Sequence, residues 1–317
     1  MSARHEPVLV AEVLDFLRGG PGLYLDATLG DGGHAEALLA AEPGARVLGC
    51  DRDPDALALA GERLRDYGPR VTLAHATFRE LPGALERAGG EPLVGALLDL
   101  GMSSRQIDDA QRGMSFQAEG PLDLRMDRTR GEPAAERLRQ VEADELEQVL
   151  RELGDVPGAR RIARAILEAA HEGRLETTRD LVHAVDRAGA PAGGRGSAPP
   201  SHPRRYAQVF QALRMWVNDE RGELEAALAW LPKAMRPGGG VVTLAYHSGE
   251  DRTIKQALRG ARMSRPVRRL PDIPGQRPPE RPWDELTHKV VTPSNAEKDR
   301  NPRARSARLR AFRRKSQ

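Results

Sequence analysis

Cysteine is almost absent from this chain. Among 317 residues Cys50 stands alone, so no intrachain disulfide can form. It sits in an apolar run and reads as a small buried hydrophobe. No cluster of Cys and His has the spacing of a zinc site. Aromatic residues are scarce at 4%, which leaves Leu, Val and Ala to build the core. No apolar run approaches the length that crosses a bilayer. The opening MSARHEPVLVAEVLDFL lacks the apolar centre of a signal peptide, so a cytoplasmic protein without a membrane partner is expected. Positive charge is present but uneven. The net charge is only +3, yet the stretch from Ala296 to Gln317 holds nine Lys and Arg against Glu297 and Asp299. A segment of that kind suits a polyanion.

What the chain does have is concentrated between Leu23 and Asp51, LYLDATLGDGGHAEALLAAEPGARVLGCD. A short apolar run ends in an acid. Gly30, Gly32 and Gly33 follow, and His34 opens a helical segment. A second apolar run then closes on Asp51. Strand, glycine turn, helix, strand and acid in that order form half of a nucleotide-binding α/β unit. Glycines let the backbone turn sharply and approach a ligand. The helix start offers free N–H groups. Asp51 is placed to accept both hydroxyls of a ribose. Gly30-x-Gly32-x-x-Ala35 fits a loose dinucleotide pattern, so a nicotinamide cofactor and S-adenosylmethionine both remain open on these residues alone.

The alternation continues. Asp53-Pro54 starts a helix, with Pro54 suited to a first turn. Val71 to His75 and Val94 to Leu100 read as strands three and four, the latter apolar throughout as a strand buried on both faces should be. Gly101 to Asp127 breaks the pattern. Ala134 to Leu153, Arg160 to Glu172 and Thr178 to Ala188 read as helices, the last capped by Thr177 or Thr178. Gly189 to Pro203 has the composition of a flexible linker. Arg205 to Glu220 reads as one long helix, with another from Glu223 to Ala234. A fifth strand runs from Val241 to Tyr246. Met263 to Trp283 reads as loop, and Lys289 to Thr292 and Ser306 to Phe312 as two last strands. The expected architecture is a doubly wound, seven-stranded parallel sheet with a helical domain inserted between strands four and five.

Several stretches match one family: HEPVLVAEVLDFL, DATLGDGGHAEALL, DRDPDAL, LLDLGMSSRQIDDAQRGMSFQAEGPLDLRMD, FQALRMWVN, GGGVVTLAYHSGEDRTIK and NPRARSARLR. The chain resembles the MraW-type bacterial enzymes that methylate N4 of a cytosine in small-subunit ribosomal RNA. The likeness runs from His5 to Arg310. It implies a class I, Rossmann-like methyltransferase domain over residues 1–105 and 213–317, and an inserted helical domain over 106–212 that helps hold RNA. It also implies S-adenosylmethionine as donor and a decoding-centre cytosine of 16S rRNA as target, either in naked RNA or in the small ribosomal subunit. In the family the Gly32-Gly33-His34 turn lies against the donor, Asp51 holds its ribose, and Phe78 packs on the adenine. Asp99 and Gln106 complete the cofactor site. Gly249 departs from the pattern, since the family usually carries a large apolar residue there.

The chemistry sets its own demand. The amino lone pair of cytosine is delocalised into the ring and is a poor nucleophile. A carboxylate that accepts a hydrogen bond from that N–H favours a tetrahedral, more reactive nitrogen. Asp99, at the end of strand four, is the candidate catalytic acceptor. His247, after strand five on the same sheet edge, is the candidate that takes the released proton or binds the base. Ser248 and Asp251 suit the cap of the following helix. Asp108 and Asp109 are expected to order their loop through Arg112. Arg204, Arg205, Arg214, the segment from Arg262 to Arg269 and the C-terminal cations are the expected phosphate contacts.

Overall fold

The computed structural model describes residues 7–189, 202–259 and 282–316. The chain divides into two compact units, Met1–Gly101 with Gly222–Gln317, and Met102–Arg221. The expected segment Arg262 to Arg269 lies outside the described residues.

The first unit is a seven-stranded sheet in the order β3-β2-β1-β4-β5-β7-β6. Its strands are β1 Gly22–Asp26, β2 Ala45–Asp51, β3 Val71–His75, β4 Leu93–Asp99, β5 Met235–Ala245, β6 Trp283–Glu285 and β7 Arg308–Arg314. The first five pair in parallel. Helices α1 Val10–Leu17, α2 Gly33–Ala41, α3 Pro54–Arg63 and α4 Leu81–Arg87 accompany the first four strands. Side chains alternate between two cores, as the period of a strand requires. Leu23, Leu25, Leu48, Cys50, Ala96 and Leu98 belong to one core. Tyr24, Val47, Val94, Leu97, Val242 and Leu244 belong to the other. Burial pushes the Cys50 thiol up to about 12, which keeps it neutral and unreactive.

Two expectations fail at the far edge of the sheet. β7 runs antiparallel to β5, so the sheet is mixed and not wholly parallel. The sixth strand is Trp283–Glu285, paired with β7, while Lys289–Thr292 contributes only the single bridge Val291 to Leu309. Trp283, the last residue of the expected loop, is 5% exposed, so one buried aromatic anchors a three-residue strand. The Arg-rich end is also not a loose tail. Its centre is β7, where Arg310 is buried and donates to Asp251 at 2.6 Å. Arg314 donates to the Pro232 carbonyl at 3.1 Å.

The described part of the second unit is helical: α5 Ser104–Asp108, α6 Ala134–Gln140, α7 Ala143–Gly154, α8 Ala159–His171, α9 Thr178–Gly189 and α10 Pro203–Val217, with the start of α11 Glu220–Ala234. The expected single helix from Ala134 to Leu153 is two, because Val141 and Glu142 are extended. The long helix expected from Arg205 to Glu220 likewise ends at Val217. Asn218 there is buried, and its amide donates to the Leu124 and Arg214 carbonyls at 2.7 and 2.8 Å. Thr177 caps α9, accepting from the Asp180 N–H while Asp180 accepts from Thr177. Phe116 packs edge-on against Tyr206 and Phe210, so scarce aromatics are gathered into this core. Arg112 is 2% exposed. It donates to the Met126 carbonyl and lies 3.7 Å from Asp109, which orders the loop as expected.

Candidate active site

Strands β1, β2 and β4 are neighbours, and each ends in a carboxylate: Asp26, Asp51 and Asp99. The carboxyl edge of an open α/β sheet, where the strand order reverses, is where ligands bind. Asp51 has both oxygens half-used. Gly30 N–H donates to Oδ2 and Asp53 N–H to Oδ1, each at 2.8 Å. Each oxygen keeps lone-pair capacity for a further donor. Burial pushes its carboxyl up to about 6.

The glycine turn divides its work. Gly30 has φ +55°, and a Cβ there would meet nothing closer than the Thr28 carbonyl at 4.0 Å. Gly32 and Gly33 differ. A Cβ on Gly32, at φ +83°, would lie 3.1 Å from Leu64. One on Gly33 would lie 3.0 Å from Pro7. Their missing side chains let the turn close against its own protein. Arg63 clamps the same turn, with Asp31 at 3.2 Å and Glu36 at 2.7 Å.

Asp99 lies at the end of β4 beside Thr28, Tyr246 and His34. Its N–H donates to Thr28 Oγ1 at 2.6 Å. Its Oδ1 accepts from the Tyr246 hydroxyl at 3.0 Å. Its Oδ2 lies 3.8 Å from His34 Nδ1, beyond hydrogen-bond reach. The other His34 nitrogen, Nε2, is 2.9 Å from the Val8 carbonyl and donates to it. Burial lowers the His34 pKa, so the ring is neutral. Burial also pushes Asp99 and Asp26 up to about 7, against a partial lowering by Tyr246 at Asp99 and by His34 at Asp26. Among the described residues no Lys or Arg pairs with Asp26 or Asp99. A positively charged ligand would relieve that cluster of carboxylates.

Tyr246 and His247 follow β5, whose Leu244 pairs with Asp99 in register. Tyr246, and not His247, reaches Asp99. His247 is engaged by its own helix, α12 Ser248–Arg259. Its Nδ1 faces the Glu250 N–H at 3.4 Å, and its Nε2 lies 3.0 Å from Glu250 Oε1 without hydrogen-bond alignment. Glu250 accepts from the Tyr246 and His247 N–H groups while His247 Nδ1 accepts from the Glu250 N–H, so His247 and Glu250 cap the helix reciprocally in place of the expected Ser248 and Asp251. Asp251 turns to Arg310 instead. Gly249 leaves room for the His247 ring, since a Cβ there would lie 3.1 Å from Nδ1.

Phe78 is half-buried just beyond β3, three residues past His75, the register partner of Asp51. Gln106 belongs to the second unit. Its side-chain oxygen accepts from the Ser103 N–H at 3.1 Å while Ser103 caps the Gln106 N–H, so it closes a one-turn helix. Asp26, Thr28 and Tyr246 were missed by sequence reasoning. The signal for Asp26 was visible in the acid that closes the first strand. Tyr246 sits in the AYHSGED stretch beside His247 but has no spacing relation to Asp99 along the chain. Arg214 is withdrawn from the expected phosphate contacts: it is buried and paired with Glu220 at 2.6 and 2.9 Å.

The model of the MraW methylase family matches residues 2–315. The chain belongs to this family. Among its relatives, a ribosomal RNA small subunit methyltransferase H of Sorangium cellulosum is 45% identical over 312 residues, covering 98% of this chain and 91% of the relative. Proteins of the same name from Symbiobacterium thermophilum and Anaeromyxobacter dehalogenans are 41% and 44% identical, covering 98% and 97% of this chain and 96% and 97% of the relatives. The fold is that of a class I, Rossmann-like methyltransferase, and the methyl donor of the family is S-adenosylmethionine. The nicotinamide reading of the glycine pattern is thereby set aside.

Proposed function

We propose that the chain transfers a methyl group from S-adenosylmethionine to the exocyclic N4 of a decoding-centre cytosine in 16S rRNA. The observation that carries the chemistry is Asp99. It stands at the end of β4 with one oxygen fixed by Tyr246 and the other engaged by no hydrogen bond from a described residue. The relatives' names, at 41–45% identity over nearly the whole chain, support ribosomal RNA as substrate.

S-adenosylmethionine supplies an electrophilic methyl group on a positively charged sulfur. The residues present suit it. Asp51 offers two oxygens to the ribose hydroxyls, the open side of Gly30 lets the backbone approach, and Phe78 offers a face to the adenine. His34 and the Gly32-Gly33 turn shape the wall beside Asp99. Gln106 reads as a cap that orders the segment after β4. The un-neutralised carboxylates Asp26 and Asp99 favour a cation between them. In catalysis Asp99 Oδ2 accepts a hydrogen bond from the cytosine N–H, which aligns the nitrogen and stabilises its growing positive charge. Tyr246 fixes the carboxylate's rotation. His247 is held back by Glu250 and comes second as proton acceptor. The inserted helical segment, about residues 106–212, supplies RNA contacts together with Arg204, Arg205 and the exposed C-terminal cations.

Mass spectrometry of 16S rRNA nucleosides tests the reading. A strain without the gene is expected to lack one N4-methylated cytidine, restored by the wild-type chain and not by Asp99→Asn. An unchanged nucleoside profile in the deletion strain overturns it.

A further inference from the structure

The second unit carries a feature the methyl-transfer site does not use. A cavity of about 880 Å³ opens among α7, α8 and α9. Its lining holds Arg151, Arg160, Arg161, Arg164 and Arg187 against only Glu147 and Glu168. Arg151 lies 3.6 Å from Glu147. The side chains of Arg160, Arg161, Arg164 and Arg187 are exposed and make no hydrogen bond or ion pair with any described residue.

This placement costs the fold something. Arg160, Arg161 and Arg164 fall within the first two turns of α8, a spacing at which like charges repel. Cations there also oppose the helix dipole, and the first turn has no acid to offset them. The opposite face of α8 gives the helix its reason to form: Ile162, Ala163, Ile166 and Leu167 are buried in the core of this unit. Nothing in that packing calls for arginine on the outer face. A polyanion would remove the repulsion. The rest of the lining is Val156, Gly158, Ala159, Ala165 and Ala188, with no aromatic side chain on which a base could stack. The cavity therefore matches phosphates and not bases.

We infer that the arginine-lined cavity between α7, α8 and α9 binds the sugar–phosphate backbone of the substrate RNA as a sequence-independent positioning site. This rests on the RNA reading above and adds a location and a mode of contact to it. Guanidinium groups meet phosphates in paired hydrogen bonds. Each neutralised phosphate of a single strand adds about 0.7 to the dependence of log affinity on log salt.

The test uses the full-length protein and the triple variant Arg160→Gln, Arg161→Gln, Arg164→Gln. Two probes are titrated with salt: small ribosomal subunits from the deletion strain and a protein-free 16S rRNA transcript. The variant is expected to bind both more weakly, with the salt slope reduced by about 2 for three lost contacts. The same positions changed to Lys should recover most of the slope. Donor affinity by calorimetry should match the wild type, and the helical circular-dichroism signal and its melting curve should match as well, which shows that the helical unit of the variant is folded. Weakened binding to subunits with unchanged binding to the transcript would assign the cavity to an acidic protein and overturn the inference. So would unchanged affinity and slope for both probes, or no salt-dependent affinity of the wild-type protein for the transcript. If the variant loses slope as expected but the wild type methylates no cytosine N4, the proposed reaction fails and the backbone site stands.

Discussion

At the scale of single residues, the carboxylates at the sheet edge make opposing contributions to stability and chemistry. Asp26 and Asp99 are pushed up to about 7 and Asp51 to about 6, chiefly by burial. A carboxyl raised in the folded state contributes stability that is complete below its unfolded value near 3.8 and is lost as pH rises through 6–7. His34, lowered by burial, acts in the other sense, but only as pH falls below about 6.5. The donor-free protein is therefore expected to melt at lower temperature at pH 8 than at pH 6, and a calorimetric scan across that range checks the sign. Asp99→Asn should raise the pH 8 melting temperature by removing a buried charge. The same change should slow single-turnover methyl transfer by about 10²-fold or more, because a carboxylate stabilises charge on nitrogen better than an amide does. A variant at the wild-type rate with poor donor binding would reduce Asp99 to a cofactor ligand. Asp51→Ala should weaken donor binding by about 1–3 kcal/mol in titration calorimetry.

At the scale of elements, the turn between β1 and α2 separates folding from binding. Gly32→Val places a branched side chain at φ +83° against Leu64 and Ala60. The strain and overpacking are expected to lower the melting temperature by about 5 °C or more, whether or not donor is present. Gly30→Ala points a methyl group into open space. Its expected signature is a smaller change in melting temperature with a clear loss of donor affinity. Equal effects of both variants on both quantities would show that the turn is not divided in this way. The other informative element is β7. Asp251 on α12 holds Arg310 on β7 at 2.6 and 3.2 Å, so the Arg-rich end of the chain is partly consumed in fixing the helix after β5.

At the scale of the molecule, the sheet is interrupted between β4 and β5 by the helical unit, and the chain resumes the same sheet beyond it. A chain in which residues 102–221 are replaced by a short linker is expected to bind S-adenosylmethionine and to leave RNA unmodified. Full RNA methylation by that shortened chain would remove the helical unit from substrate recognition. The five parallel strands were legible because each is a short apolar run closed by an acid or a turn, a local pattern that tertiary context seldom overrides. β6 was not legible, because three residues carry no periodicity and only Trp283 packing beside β7 makes them a strand. The break at Val141 and the end of α10 at Val217 escaped for a related reason. Apolar periodicity continues through both, and the stops come from backbone geometry and from buried contacts such as Asn218 to Leu124.

The sequence by itself determined the nucleotide-type half-unit, the strand-end positions of Asp51 and Asp99, the run of helices after strand four and the family. These follow from residue order within a few tens of positions, where spacing alone sets which groups share a strand end or a helix start. Only the tertiary structure decided that Tyr246 holds Asp99, that Glu250 restrains His247, and that Arg214 and Arg310 serve the fold. Tyr246 and Asp99 are 147 positions apart. Parallel pairing of β4 with β5 brings their ends together, and no local pattern records a partner so distant along the chain.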